Sequence, residues 1–195
     1  MSEVKIANPA PLGLMGFATT TFVLSMVNAG FLHLSDQPVV FGLAIFYGGI
    51  AQLLAGMWEF RSGNTFGATA FSSYGAFWLS FAAIFLPGLG NAIASVSFTS
   101  LGVYLVAWAV VTGILMIASF RTTGAVALVF ILLFITFVLL AIGFLNTTKT
   151  SLSPFIGYGG YVGLATAIVA WYAAMAGVVS GASNGKINLP VFPLS

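Results

Sequence analysis

The chain has 195 residues, of which 60% are hydrophobic and only 4% are charged. A soluble domain carries about a quarter charged residues, so this composition excludes a soluble fold and indicates a protein embedded in lipid. The formal net charge of +2 is too small for a nucleic-acid-binding surface, and the single histidine and absent cysteine argue against a metal centre, a disulfide or a thiolate nucleophile.

Six apolar segments follow one another along the chain, each close to the length that a tilted transmembrane helix needs. They cover residues 12–34, 39–60, 66–86, 98–120, 123–146 and 155–180. The short breaks between them are typical of turns rather than linkers. We therefore predict an all-α integral membrane protein with a single six-helix transmembrane domain over residues 1–195. The start of the chain shows no signal-peptide cleavage site, so the first helix is expected to stay in the mature protein.

Charged residues at the helix ends predict the orientation. If successive helices alternate in direction, Lys5, Arg61, Arg121 and Lys186 fall on one face of the membrane and Lys149 falls on the other. Positive residues concentrate on the cytoplasmic side, so both termini are predicted to be cytoplasmic.

The same basic residues suggest an internal repeat. Lys5, Arg61 and Arg121 are spaced by 56 and 60 residues, and each precedes an outward-going helix that is followed by an inward-going one. This spacing indicates three helix pairs in parallel orientation, related by an axis along the membrane normal. Coincidental loop spacing is the alternative, because the repeat depends on charge and hydropathy rather than on matched residues.

Two helix starts offer groups that can bind an anion. Asn8 is predicted to cap the first helix, with Pro9 at the first helical position, and Asn64 and Thr65 do the same for the third helix. The free N–H groups of a helix N-terminus favour negative charge. Ordinary capping explains the same residues and is favoured on physical grounds alone, since every helix must begin somewhere.

Polar side chains on the second and third predicted helices are further candidates. Gln52 and Glu59 are seven residues apart and so share one helix face, and an ionisable residue near membrane depth indicates function. An ion pair between Glu59 and its neighbour Arg61 would instead anchor the helix end, and the two explanations are equally supported. Thr69 carries a hydroxyl that can serve a ligand or bond back to the helix.

Two stretches carry a specific family signature. Residues 8–14 read Asn-Pro-Ala-Pro-Leu-Gly-Leu, and a longer stretch from residue 46 to residue 79 begins Phe-Tyr-Gly-Gly-Ile-Ala-Gln and contains Gly-Asn-Thr-Phe-Gly and Ser-Tyr-Gly. In these motifs the chain resembles the acetate uptake transporter family, which includes the succinate–acetate permeases. Weaker likeness extends over nearly the whole chain.

The resemblance implies the passage of acetate, and in some members succinate, across a prokaryotic inner membrane. It also implies a homohexamer in which each protomer has its own path, and an influence of Ala170 on substrate choice. Coupling to protons and channel-like passage are both compatible with the sequence, which leaves that choice open. The predicted substrate-binding residues are Asn8, Gln52, Glu59, Asn64, Thr65, Thr69 and Ala170.

The resemblance further implies a hydrophobic pore constriction formed by Phe17, Tyr74 and Leu133. In the predicted repeat these residues follow the three basic residues by 12, 13 and 12 positions, so they are expected to lie at similar depth. At a rise of 1.5 Å per residue they lie about 9 to 15 Å inside the predicted helix starts. A hydrophobic ring at that depth can gate a path by excluding water, whereas ordinary core packing is the alternative.

Passage of small carboxylates is the function that these observations favour. A non-conducting membrane scaffold or a sensor of acetate or ammonium is the alternative, because relatives can keep a fold and lose conduction. The sequence offers no nucleophile with a nearby base, no metal-ligand cluster and no phosphate-binding loop, so we predict neither an enzyme nor a cofactor. The expected partners are acetate, succinate, protons, the lipid bilayer and further copies of the chain, but no nucleic acid.

Overall fold

The computed structural model describes residues 6–85 and 96–194, which are nearly all helical. The helices are α1 (Ala10–Asn28), α2 (Pro38–Ile45), α3 (Gln52–Ser62), α4 (Thr65–Phe85), α5 (Phe98–Ser119), α6 (Gly124–Leu145) and α7 (Pro154–Ala182). Together α2, the π-helical segment Phe46–Ala51 and α3 form one span, Pro38–Ser62. The described residues therefore contain six helices long and apolar enough to cross a membrane, which confirms the predicted fold class.

The end of α1 departs most from the predicted spans. This helix ends at Asn28, six residues before position 34, because Gly30 adopts a left-handed conformation with φ +81°. Gly30 donates its N–H to Val27 O at 3.0 Å and Phe31 donates to Met26 O at 2.9 Å, which is the hydrogen-bond pair of a Schellman cap. The predicted end of the third span at Leu86, and most of the predicted break that follows it, lie outside the described residues.

The π-helical segment Phe46–Ala51 interrupts the second span and was not predicted from the sequence. Gly48 lies inside it, and a Cβ at this position would approach Thr20 Oγ1 to 2.6 Å and Trp78 Cδ1 to 2.8 Å. The Thr20 hydroxyl also lies 3.5 Å from Leu43 O, near the point where the α-helical pattern is lost. Glycine thus permits α1 and α4 to approach the segment closely, and single π-helical turns often occur at functional sites.

The interior of the bundle lies between α1, α4 and α6. Helix α1 contacts α7, α4 and the whole second span, and α6 packs between α5 and α7. Aromatic side chains fill the gap between α4 and α6, with ring centroids 6.1 Å apart for Tyr74 and Phe130 and 5.3 Å apart for Phe77 and Phe137. The first helix of each predicted pair therefore faces a common centre.

Candidate functional site

A cavity of about 780 Å³ occupies one end of the bundle, and we call it the vestibule. Its rim includes the exposed residues Gly30, Leu32 and His33, so it opens at this end. Most of its wall is apolar. On α4 the wall consists of Phe77, Trp78, Phe81 and Phe85.

A second cavity, of about 20 Å³, lies deeper in the bundle, and we call it the small cavity. Its wall consists of Leu14, Phe17, Gln52, Ala70, Phe71, Tyr74, Val129, Phe130 and Leu133. All of these residues except Gln52 belong to α1, α4 or α6. A volume of this size holds about one water molecule, so the two cavities differ greatly in width.

The order of residues along α1, α4 and α6 shows that these helices run in the same direction. On each helix the positions that line the small cavity come first and those that line the vestibule follow, with Phe17 of α1 and Leu133 of α6 belonging to both sets. On α4, for example, Phe71 and Tyr74 line the small cavity, whereas Phe77 and Phe81 line the vestibule. This is the arrangement that three parallel helix pairs require.

Phe17, Tyr74 and Leu133 come together between the two cavities, and we call this group the constriction. Phe17 and Leu133 line both cavities, and Tyr74 lines the small one. The ring centroids of Phe17 and Tyr74 are 5.7 Å apart. All three side chains are buried, with no more than 4% of any of them exposed. The structure therefore places the three predicted residues, which belong to three different helices, around the same small cavity.

The hydroxyl of Tyr74 is tied to α5 through Thr112. The two side-chain oxygens are 2.9 Å apart, and the Thr112 hydroxyl lies 2.7 Å from Trp108 O, to which it donates. Because Thr112 uses its proton on that carbonyl, Tyr74 donates its own proton to Thr112. Thr112 is fully buried and was not predicted to matter, since a hydroxyl on a membrane helix is too common to stand out.

Gln52 is the polar side chain next to the constriction. It begins α3, directly after the π-helical segment, and it is 1% exposed. Among the described residues its Oε1 has no hydrogen-bond partner. A buried amide oxygen without a partner is costly, and because this oxygen only accepts hydrogen bonds, a donor is what it lacks beside the small cavity.

Glu59 is held at the start of α4. Its Oε2 accepts hydrogen bonds from Asn64 Nδ2 at 2.9 Å and from Ser62 Oγ at 3.2 Å. Asn64 in turn caps α4, because its Oδ1 accepts the Gly67 N–H at 3.1 Å. The carboxyl group of the chain itself therefore lies at one of the two helix starts predicted to attract an anion. Within the described ranges no ion pair joins Glu59 to Arg61, since residues two apart on a helix do not face each other.

Asn8 makes a local capping contact at the other predicted anion site. Its Oδ1 accepts the N–H of Ala10 at 3.0 Å, and the side chain is exposed. The helix begins at Ala10, so Pro9 precedes the first helical position rather than occupying it. The contact is the capping interaction that the sequence favours on physical grounds.

The remaining predicted substrate-binding residues lie away from the two cavities in the part of the chain that the structure describes. Thr65 and Thr69 are exposed on α4, where the Thr69 hydroxyl donates to Thr65 O at 2.8 Å. Ala170 is fully buried on α7, which packs against both α1 and α6. Any effect of Ala170 on the constriction must therefore be transmitted through the positions of these two helices.

Comparisons with known proteins show what this chain is similar to. The GPR1/FUN34/yaaH family model matches residues 1–195. Acetate permease A of Emericella nidulans is 43% identical over 98% of this chain and 68% of its own length. The succinate-acetate/proton symporter SatP of Escherichia coli is 43% identical over 98% of both chains. The solved structure of a bacterial acetate channel SatP is 40% identical, with a TM-score of 0.88 over 96% of this chain and 99% of that one. These relatives confirm the predicted family resemblance.

Proposed function

We propose that this chain, which belongs to the GPR1/FUN34/yaaH family, lets acetate and related small carboxylates, including succinate, pass across a membrane. The relatives support the substrate class, because they are named an acetate permease, a succinate-acetate/proton symporter and an acetate channel. One observation carries the proposal for this chain. Phe17 and Leu133 line both cavities, so a solute that moves from the vestibule to the small cavity passes between them.

The constriction sets the barrier on this path. Its side chains are apolar or, in Tyr74, have the polar group bonded elsewhere, so a carboxylate gains little there in exchange for the water it loses. The small cavity holds about one water molecule, and acetate is larger than water. Passage therefore requires the three side chains to move apart. On the far side the Gln52 amide is placed to replace part of the lost hydration.

Three of the proposed roles act at different distances from the solute. Phe17, Tyr74 and Leu133 form the barrier, the Nε2 amide group of Gln52 donates a hydrogen bond to the carboxylate, and Ala170 acts through the spacing of α1 and α6. Direct contacts of substrate with Asn8, Glu59, Asn64, Thr65 and Thr69 stay predictions.

The proposed assembly is a homohexamer in which each protomer holds its own path. Support comes from the resemblance of the sequence motifs to the family, which implies this assembly. The proposed location is a prokaryotic inner membrane with both termini in the cytoplasm, supported by the excess of basic residues on that face. In this orientation the vestibule opens to the outside. Native mass spectrometry and labelling of single cysteines at each end test the two statements separately.

Uptake of radiolabelled acetate into liposomes tests the function, with and without an imposed inward proton gradient and with protein-free liposomes as control. Accumulation above the external concentration only with the gradient indicates coupling to protons. Faster equilibration without accumulation indicates a channel. Flux equal to that of the protein-free liposomes contradicts the proposal and leaves a non-conducting scaffold or a sensor of acetate or ammonium.

A further inference from the structure

The small cavity has a second set of matching side chains next to the constriction. On α1, α4 and α6 alike, the residue three positions before the constriction residue also lines this cavity. These residues are Leu14, Phe71 and Phe130, and we call them the inner ring. Residues three apart lie on the same face of a helix, about 4.5 Å apart along its axis. The inner ring therefore repeats the constriction about one turn closer to the starts of the three helices.

The inner ring lies on the side of the small cavity that faces away from the vestibule. Phe17 and Leu133 line both cavities, whereas the inner-ring residues belong only to the wall of the small one. The inner-ring side chains are buried, with no more than 9% of any of them exposed. A solute that leaves the small cavity toward the helix starts therefore passes the level of these side chains.

The two aromatic side chains of the inner ring reach from one helix to the next. A Cβ at Gly13 of α1 would approach Phe71 Cδ1 to 2.6 Å, so the ring of Phe71 lies directly against α1. The ring centroid of Phe130 on α6 is 5.2 Å from that of Phe66 and 6.1 Å from that of Tyr74, both on α4. The gaps between α1 and α4 and between α4 and α6 are thus spanned by apolar side chains at this level.

We propose that the inner ring is a second barrier on the path and determines, together with the constriction, which solutes pass. The small cavity then lies between two apolar barriers, and it is the place where one carboxylate binds, with Gln52 as the polar part of its wall. Apolar rings on both sides exclude water from this place until one of them opens. The part of the inner ring in selecting solutes rests on the proposed function, whereas its part as a barrier does not.

The reactivity of a single cysteine measures the barrier without acetate. The chain contains no cysteine, so Leu133→Cys supplies one thiol at the boundary of the two cavities. A charged methanethiosulfonate that does not cross lipid is added to cells and, separately, to inverted membrane vesicles. His33→Cys, at the exposed rim, shows which preparation presents the vestibule. The thiol of Leu133→Cys should react about tenfold faster from the vestibule side than from the other side, where the inner ring intervenes.

Alanine substitutions in the inner ring should remove this difference. Leu14→Ala and Phe71→Ala, each combined with Leu133→Cys, should raise the reaction rate from the side of the helix starts about tenfold and leave the rate from the vestibule side unchanged. Leu115→Ala is the matched control, because Leu115 is likewise buried, with 6% exposed against 9% for Leu14, and lines neither of the two cavities. It should leave both rates unchanged. Size-exclusion chromatography shows that each variant is folded.

Transport is measured second, as uptake of radiolabelled acetate and butyrate into proteoliposomes. Leu14→Phe narrows the inner ring and should slow butyrate more than acetate, and an unchanged ratio of the two contradicts the part in selection. Reactivity that depends on the inner ring, without any acetate flux, keeps the barrier and overturns the proposed function. Equally fast reaction of the Leu133→Cys thiol from both sides, with the inner ring intact, overturns the inference. A rate that neither Leu14→Ala nor Phe71→Ala changes overturns it as well.

Discussion

The vestibule and the small cavity share walls on successive turns of α1, α4 and α6, yet one is about 780 Å³ and the other about 20 Å³. The difference follows from side-chain packing. At the level of the small cavity the ring of Tyr74 packs against the rings of Phe17 and Phe130, with centroid distances of 5.7 Å and 6.1 Å. Toward the vestibule Phe77 and Phe137 are also in contact, with ring centroids 5.3 Å apart, but they lie in the wall and leave the centre of the cavity open.

This contrast indicates where a solute is selected. In the vestibule a small carboxylate keeps its water and meets little resistance. At the constriction it must shed water and displace apolar side chains, so the free-energy barrier concentrates within about one helical turn. Selectivity should therefore respond strongly to changes at the constriction and weakly to similar changes in the vestibule wall.

Phe17→Ala should have the largest effect, because it removes a wall that the two cavities share. We expect acetate equilibration in proteoliposomes to rise about tenfold or more, and larger acids such as butyrate to enter. The measurement is uptake of radiolabelled acids of increasing chain length, with the amount of folded protein determined by size-exclusion chromatography.

Phe81→Ala is the matched control for this prediction. It removes a ring that is equally buried, with 5% exposed against 4% for Phe17, but one that lines only the vestibule. Both variants should lose a similar part of their stability, since a deleted buried phenylalanine costs about 3–5 kcal/mol. Equal changes in selectivity for the two variants would show that Phe17 is an ordinary packing residue.

Gln52→Leu should have the next largest effect, because Gln52 is the polar wall of the small cavity. The change keeps the side-chain size and removes the amide that we propose to contact the carboxylate. Acetate flux should fall about three- to tenfold, which corresponds to the loss of about one hydrogen bond. Stability should stay the same or rise, since a buried oxygen without a partner among the described residues is removed.

Ser72→Ala is the control for Gln52→Leu. It shows whether the loss of any buried polar group lowers acetate flux, or only the loss of one beside the small cavity. Ser72 Oγ is likewise buried and without a partner in the described part of the chain, but Ser72 lines neither cavity found there. Acetate uptake by this variant should match that of the wild type. If Gln52→Leu also transports at the wild-type rate, then Gln52 has no contact with the solute.

Much of this arrangement follows from local properties of the sequence. Apolar length predicts the six spans, and Gly30 carried the signal for the early end of α1, because glycine adopts positive φ at helix ends without strain. The π-helical segment could not be predicted, since it depends on the close approach of Thr20 and Trp78 to Gly48 and leaves the hydrophobic pattern unchanged.

The candidate site was only partly accessible to sequence reasoning. Phe17, Tyr74 and Leu133 were identified through the family resemblance and an internal repeat, and the structure brings them together. The Thr112 contact depends on how α4 and α5 pack, which no local pattern in the sequence encodes. Two helix starts, at Asn8 and at Asn64, were predicted to attract a carboxylate, and that prediction used capping residues alone. At the start of α4, the sequence did not reveal that Glu59 reaches Asn64 across the intervening turn.

Thr112→Val should change acetate flux the least, because it alters the constriction only through Tyr74. The change removes the acceptor of the Tyr74 hydroxyl and leaves a buried donor without a partner, at a cost of about 1–3 kcal/mol in the free energy of unfolding. The ring of Tyr74 also loses its tether to α5, so acetate equilibration should rise about twofold. Chemical denaturation in detergent micelles measures the first effect and liposome uptake the second.

A double-mutant cycle with Tyr74→Phe isolates this contact. Removing both hydroxyls leaves no unpartnered group, so the double variant should be more stable than the sum of the two single changes predicts. Its acetate flux should resemble that of Tyr74→Phe alone, because Thr112 then has no hydroxyl on Tyr74 to hold. If the two single changes simply add in both stability and flux, the hydrogen bond does not position Tyr74, and the width of the constriction is set by the packing of Phe17, Phe130 and Leu133 around the ring.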